Sequence, residues 1–321
     1  VGALFRTLFF KKERPKYTKK YRSQLKKMFL TVENNDYFSD RDFDLLLGWI
    51  DKVILHKEIS KDLLKRLTPK VMVQYCYYSL VQMGYNLAAA ELKIRSVDYQ
   101  HGSQNKWHYA YGSWRNVPAK GYGLLPNEFW VYGNKEKINL FESFQNSTHL
   151  VKIVGNKWVD FWRETVKNNF EESCSWIKEY KNNNCKIFLL TFSSQMIDEN
   201  HFIWDYIKSV KDEKIFWLFR LHPGYKFLNE ALLMKLNQFG INNFEIDRAT
   251  KTELYNLLDL TDLHFTEVSS ISEEALVFGV KTILLAETGR LYYEQGIVNG
   301  DMFYPRSKEE LVDTVLLNVA Y

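Results

Sequence analysis

Arg220-Leu221-His222-Pro223-Gly224 closes the apolar run Ile215 to Phe219, and its Pro-Gly pair calls for a turn where a strand would end. A turn there leaves a guanidinium and an imidazole at the strand's carboxyl end. Arginine offers a phosphate a planar fork of donors, and histidine offers a ring N–H whose charge the phosphate itself can set. The alternative for His222 is a plain hydrogen bond to a carbonyl in the turn. A second constellation, Thr266-Glu267-Val268-Ser269-Ser270-Ile271-Ser272-Glu273-Glu274-Ala275, follows another short strand pattern and opens a helical one. Small hydroxyls beside the unpaired N–H groups of a helix start make an anion site, because dipole and donors point the same way. The same spacing is also a capping box, best fitted by Ser270 with Glu273 and more weakly by Ser269 with Ser272. One turn further, Glu274 is placed either to accept hydrogen bonds from ribose hydroxyls or to stand as a solvated surface carboxylate.

A third group lies earlier, at Gln100-His101-Gly102. A histidine ending a strand, with an ordinary pKa near 6.5, suits the removal of a proton from an acceptor hydroxyl. Asp98, two residues back on the same side of the strand, would orient or assist it. Trp107, His108 and Tyr109 follow in a segment rich in Gly, Pro, Asn and aromatics. They suit stacking on the sugar ring of an acceptor, or else they fill the core of a loop. The chain carries no Gly-x-Gly-x-x-Gly, Walker loop, Gly-x-Ser-x-Gly, His-Glu-x-x-His or Asp-x-Asp. The expected mechanism therefore uses no metal and no cofactor beyond a nucleotide-linked co-substrate.

The elements that position these residues read as alternating strands and helices from Lys70 onward, the pattern of a parallel α/β sheet. A strand at Val71 to Tyr77, a helix at Ser79 to Leu92 and a strand at Arg95 to Tyr99 form the first unit of this kind. A long ordered loop is expected over 102–127, then a strand at Phe129 to Gly133, a helix at Phe141 to Thr148 and a strand at Val151 to Gly155. The second half is more regular. Strands are expected at Lys186 to Thr191, Ile215 to Leu221, Asn243 to Ile246, Leu263 to Thr266 and Thr282 to Leu285. Helices are expected at His201 to Lys208, Leu228 to Phe239, Lys251 to Leu257, Ser272 to Phe278 and Lys308 to Val319. In such sheets ligands bind beyond the carboxyl ends of the strands, where all three groups fall.

At 321 residues the chain exceeds one hydrophobic core, so two domains are expected. Three cysteines without metal spacing point to neither a disulfide framework nor a zinc site, and no apolar stretch is long enough to span a bilayer. A cytoplasmic setting follows. Residues 1–30 hold ten Lys or Arg against Glu13 alone, in a chain of net charge +4. That arm, with Leu4, Phe5, Leu8, Phe9 and Phe10 leading, would lie peripherally on an anionic inner-membrane surface, or simply be a solvated basic helix. No nucleic-acid partner is expected, since no recognition motif accompanies the charge.

Arg220 to Pro223, Ser269-Ser270, Glu274-Ala275 and Phe278-Gly279 together resemble bacterial transferases of the GT-B fold that use cytidine-activated donors. That group includes sialyltransferases and polysialyltransferases with His-Pro and Ser-Ser motifs, Kdo transferases and CDP-glycerol glycerophosphotransferases. Gln100-His101-Gly102 looks like the His-Gly element of several such enzymes. The resemblance spans roughly residues 70–320 and implies two Rossmann-like domains facing a cleft, preceded by a basic helical arm. It divides the chain into an arm at 1–35, an acceptor-side domain at 36–133 and a nucleotide-sugar-binding domain at 134–321. It implies that Arg220 and His222 hold donor phosphate, that Ser269 and Ser270 contact phosphate or the donor's carboxylate, that Glu274 takes the ribose, and that His101 is the base. The implied reaction is inverting transfer of a sugar, from a CMP-linked donor such as sialic acid or Kdo, to a glycan or glycolipid acceptor in surface-polysaccharide synthesis. Lys281, where many such proteins have proline, departs from the pattern. The alternatives are a UDP-sugar 2-epimerase-like enzyme, whose Ser-x-x-Glu-Glu helix start is similar, and a non-catalytic nucleotide-sugar-binding subunit.

Overall fold

The computed structural model describes residues 17–30, 39–112, 114–168, 174–192, 197–211 and 213–319. The chain forms two compact units, Val1–Gly155 and Asn156–Tyr321.

In the first unit a 3-10 turn at Tyr17–Tyr21 leads into helix α1 (Arg22–Leu30) and then the 28-residue helix α2 (Asp40–Leu67). Ser39 starts α2 through a capping box. Its hydroxyl accepts from the Asp42 N–H at 3.3 Å, and the Asp42 carboxylate accepts from the Ser39 N–H at 2.8 Å. Thr68, held left-handed at φ 43° ahead of Pro69, ends it. The acidic first turns of α2 fasten the described part of the basic arm: Arg22 pairs with Asp44 at 2.6 Å, Lys26 with Asp40, and the Thr18 N–H donates to Asp51 at 2.8 Å. Lys19, Lys20 and Lys27 stay exposed. The leading cations and apolar residues of positions 1–16 lie outside the described residues.

Strand β1 (Val71–Gln74), helix α3 (Leu80–Glu91), strands β2 (Arg95–Tyr99) and β3 (Glu128–Val131), helix α4 (Asn134–Phe144) and strand β4 (Leu150–Ile153) complete this unit. The four strands are parallel, in the order β1-β2-β3-β4. α3 packs on α2 at Gly84, where a Cβ would come within 2.8 Å of the Lys57 nitrogen, so only glycine allows the approach. The expected boundary between 133 and 134 cuts through this unit. Residues 134–155 build α4 and β4, and β4 continues the sheet in register from Glu128↔Leu150 to Val131↔Ile153. The helix expected at Phe141 to Thr148 is α4, which begins seven residues earlier and stops at Phe144.

The second unit opens with helices α5 (Lys157–Asn168) and α6 (Ser175–Asn182), neither of which the sequence pattern announced. Strand β5 (Lys186–Thr191), helix α7 (Phe202–Ser209), strand β6 (Ile215–Arg220), helix α8 (Asn229–Gln238) and strand β7 (Phe244–Glu245) follow. Next come α9 (Asp247–Lys251), α10 (Leu254–Leu258), β8 (Leu263–Thr266), α11 (Ile271–Val277) and β9 (Thr282–Leu284), then α12 (Glu287–Tyr292), α13 (Glu294–Val298), β10 (Met302–Phe303) and α14 (Lys308–Asn318). The single helix expected at Lys251 to Leu257 is in fact α9 and α10, broken where Thr252 turns extended at φ −65°, ψ 145°.

All strands of this sheet pair in parallel, in the order β10-β9-β8-β5-β6-β7. This is the doubly wound Rossmann order, and the winding reverses between β5 and β8. Its central strands are apolar on both faces because helices cover both. Phe188 and Leu190 of β5, with Trp217 and Phe219 of β6, pack into one core, while Ile187, Leu189, Phe216 and Leu218 pack into the other. Each such side chain contributes roughly 1.5–3 kcal/mol of burial. At the reversal, the fully buried His264 of β8 bonds the Thr191 hydroxyl of β5 at 2.9 Å and the Thr282 hydroxyl of β9 at 3.0 Å. Burial drives its pKa down to about 3, so the ring is neutral and cross-links three strands without an unpaired charge.

Candidate functional site

The carboxyl ends of β6 and β8 flank that of β5, so the turn after β6 and the helix start after β8 stand two strand spacings apart, about 10 Å, on one edge of the sheet. Both lie beside the reversal point, where a crevice forms in sheets of this order. The sequence-predicted residues of the second unit are thus gathered on one side of it.

His222 is extended at φ −61°, ψ 141°, as a residue before proline must be, and it caps a 3-10 turn at Pro223–Leu228. Its Nδ1 accepts the Gly224 N–H at 3.1 Å. A neutral ring therefore carries its proton on Nε2, and the side chain is exposed, leaving a donor free for an anion. No carbonyl among the described residues takes that proton, and the ring rests beside that of Tyr225 at 5.6 Å.

Ser269 and Ser270 bridge β8 to α11. The Ser269 hydroxyl accepts from the Ile271 N–H at 3.3 Å, and its carbonyl accepts from the Tyr293 hydroxyl at 2.8 Å. α12 presses on the same bridge through Gly289, where a Cβ would meet the Glu267 carbonyl at 2.1 Å. The expected Ser270 and Glu273 capping box does not form: Ser270 is already helical at φ −60°, ψ −17° and its hydroxyl caps nothing. That hydroxyl has no partner among the described residues. The bridge is braced from outside, which frees Ser270 from the duty its spacing suggested.

Arg220 differs most from expectation. Its Nη1 donates to the Ala249 and Thr252 carbonyls, both at 2.6 Å, at the C-terminal end of α9. The α9 residue Thr250 also accepts the Leu221 N–H at 3.1 Å, so α9 clamps the end of β6. An orphan carbonyl is a strong attractor for a buried guanidinium, and local sequence does not reveal it. Glu274 is half-buried and accepts from the Tyr255 hydroxyl at 3.3 Å. Burial raises its pKa to about 7, Glu273 and Glu253 reinforce the shift, and Tyr255 and Arg220 oppose it. Burial likewise lowers the pKa of Arg220, against the fields of Glu253 and Glu274. Tyr255 and Glu253, which sequence reasoning missed, complete this group. The Thr252-Glu253 pair, an ordinary helix-start signature inside what reads as one helix, was the available signal.

In the first unit, His101 follows β2 and is exposed, its ring 5.1 Å from that of Tyr75. Neither of its nitrogens has a hydrogen-bond partner among the described residues. Asp98 does not orient it. Only 1% exposed, Asp98 accepts from the Tyr77 N–H at 3.0 Å and from the Tyr111 hydroxyl at 2.8 Å, so one oxygen holds the turn after β1 and the other the loop after β2. Burial raises its pKa to about 7. The Tyr77 hydroxyl in turn bonds the Ala110 carbonyl and accepts from Trp114 Nε1 at 2.9 Å, so this network shapes the segment that carries the aromatic residues. His108 is packed, with Nδ1 accepting the Ala110 N–H at 3.1 Å and its ring stacked on Tyr109 at 4.9 Å. Trp107 and Tyr109 are 51% and 73% exposed, with the Lys106 ammonium over the Trp107 ring.

Two Rossmann-like units of parallel strands define an α/β protein. No family model matches the chain. No curated protein matches it either. Solved structures do. A Staphylococcus aureus protein solved with UDP, MnaA, aligns with a TM-score of 0.59 and 15% identity over 83% of this chain and 70% of its own. UDP-GlcNAc 2-epimerase from Neisseria meningitidis, bound to UDP-GlcNAc, aligns with a TM-score of 0.55 and 15% identity over 92% and 80%. An α,α-trehalose 6-phosphate synthase from Burkholderia multivorans aligns with a TM-score of 0.51 and 8% identity over 88% and 68%. At these identities the likeness is one of fold.

Proposed function

We propose that the chain converts a nucleotide-activated sugar, that the nucleotide is UDP, and that the reaction is epimerisation at carbon 2 of the sugar. The observation that carries the nucleotide half is the grouping of His222, Ser269, Ser270 and Glu274 at the carboxyl ends beside the strand-order reversal. There His222 Nε2, the Ser270 hydroxyl and the bridge backbone meet the diphosphate, and Glu274 takes the ribose. The names of two of the structural neighbours, one solved with UDP and one a UDP-GlcNAc 2-epimerase, favour UDP over the cytidine nucleotide that the motifs suggest.

A second reading is glycosyl transfer, favoured by the His101 ring, unbonded among the described residues, and by the exposure of Trp107 and Tyr109 in the first unit. In it His101 takes the proton of a glycan or glycolipid hydroxyl. Work at an anionic membrane surface belongs to the same proposal, supported by the exposed Lys19, Lys20 and Lys27; no helix among the described residues is long and apolar enough to cross a membrane.

One incubation separates the readings. With UDP-GlcNAc alone, proton NMR should show the 2-epimer appear; release of UDP only when a glycan acceptor is added would replace epimerisation by transfer. UDP at 100 times its Kd should stabilise the fold by about 2.7 kcal/mol in thermal unfolding. Absence of stabilisation by UDP and by CMP alike would remove the whole proposal.

A further inference from the structure

Two carbonyls at the end of α9 take up the inner donors of Arg220, an unusual use for an arginine at the tip of a strand facing an anion site. The α9 terminus is followed at once by Glu253 and then by Tyr255, the residue that donates to Glu274. The groups acting on Glu274 are Glu273 from its own helix, Glu253 from the turn before α10, Tyr255 from α10 and Arg220 from β6. Arg220 is the cation of that set, and it is bonded to the turn that carries two of the others.

We infer that Arg220 is a positioning residue: it fixes the turn between α9 and α10, aims Tyr255 and Glu274 at the vicinal diol of a nucleoside, and makes no phosphate contact. This rests on the reading of Glu274 as the ribose acceptor. The planar head matters because Nη1 sends its two N–H bonds in fixed directions to the two carbonyls, whereas a lysine ammonium on its flexible stem holds no such direction. The charge matters because a carboxylate flanked by Glu253 and Glu273 accepts a diol only if its anionic form is sustained.

The test uses the full chain with Arg220→Lys and Arg220→Gln, read by amide hydrogen exchange and by calorimetric titration with uridine and with UDP. Both variants should speed exchange at residues 252–257 by about tenfold, since the orphan carbonyls lose their anchor. Uridine and UDP should weaken by the same factor. Uridine binding should be strong above the Glu274 midpoint and fade below it, and Arg220→Gln should move that midpoint up by about one pH unit, with Arg220→Lys moving it less.

A loss confined to UDP, with uridine unchanged, would make Arg220 a phosphate ligand and overturn the inference. Unaltered exchange in both variants would overturn the bracing role. Should the unmodified protein bind neither uridine nor UDP, the ribose assignment of Glu274 and the proposed function fall together, while the exchange measurement still decides the brace.

Discussion

Asp98 in the first unit and Glu274 in the second are both carboxyls that burial lifts to about 7, yet their surroundings differ in kind. Asp98 has both oxygens engaged, by a backbone N–H and a tyrosine hydroxyl, inside a sheet whose described strands run β1 to β4 without reversal. Among the described residues Glu274 has one long bond, to Tyr255, on a helix that follows the reversal point of the second sheet. A raised carboxyl pKa therefore does not by itself mark a site. What distinguishes the two is an unspent acceptor at a place where the topology opens a crevice.

The largest effect expected from this contrast is at His222, whose Nε2 is the exposed donor beside that crevice. His222→Ala should lower turnover by about 100 to 1,000-fold, as loss of a charge-stabilising donor does. Steady-state rates on a UDP-sugar check this, and an unchanged kcat would dissolve the distinction between the two units.

Next in size is Asp98, for which the contrast predicts an effect on stability. Its folded pKa near 7 lies above the unfolded value of about 3.9, so between these pH values the folded chain holds a proton that the unfolded chain releases. This group makes stability fall as pH rises from about 4 to about 7. Asp98→Asn keeps an acceptor for the Tyr77 N–H and gains a donor for the Tyr111 oxygen, so it should flatten that decline in urea titrations. Asp98→Ala, which strands both partners, should cost about 3 kcal/mol. An Asn variant as pH-sensitive as the original would place the proton elsewhere.

The smallest effect compares two serines at helix starts. Ser79 accepts the Gln82 N–H at 3.3 Å, whereas Ser270 caps nothing. Ser79→Ala should lose about 1 kcal/mol in urea unfolding, and Ser270→Ala less than about 0.5 kcal/mol while weakening UDP binding. Equal losses would return Ser270 to an ordinary capping role.

Much of the second unit was legible because its strands are bounded by strong local signals. β5 and β8 fall where expected, at Lys186–Thr191 and Leu263–Thr266, since a short run rich in apolar residues between polar turns has few other fates in a parallel sheet. The first unit was less legible. α2 mixes exposed and buried apolar residues, with Leu45 and Trp49 in solvent, and its stripe blurs. The boundary at 133/134 failed because β4 is largely exposed at a sheet edge, and nothing in four residues says which sheet they will join.

By itself the sequence determined which residues end strands and start helices: the turn at Pro223-Gly224, the paired serines, the glutamate one turn on. These follow from backbone sterics and periodicity, which act over a few residues. The tertiary structure alone decided which partner each polar atom meets. Arg220 is claimed by carbonyls some thirty residues away, Asp98 by Tyr77 and Tyr111, and the Ser269 bridge by Tyr293. The reason is that a buried polar group must be satisfied by whatever folding brings within 3 Å of it, and that neighbour is set by the packing of whole elements.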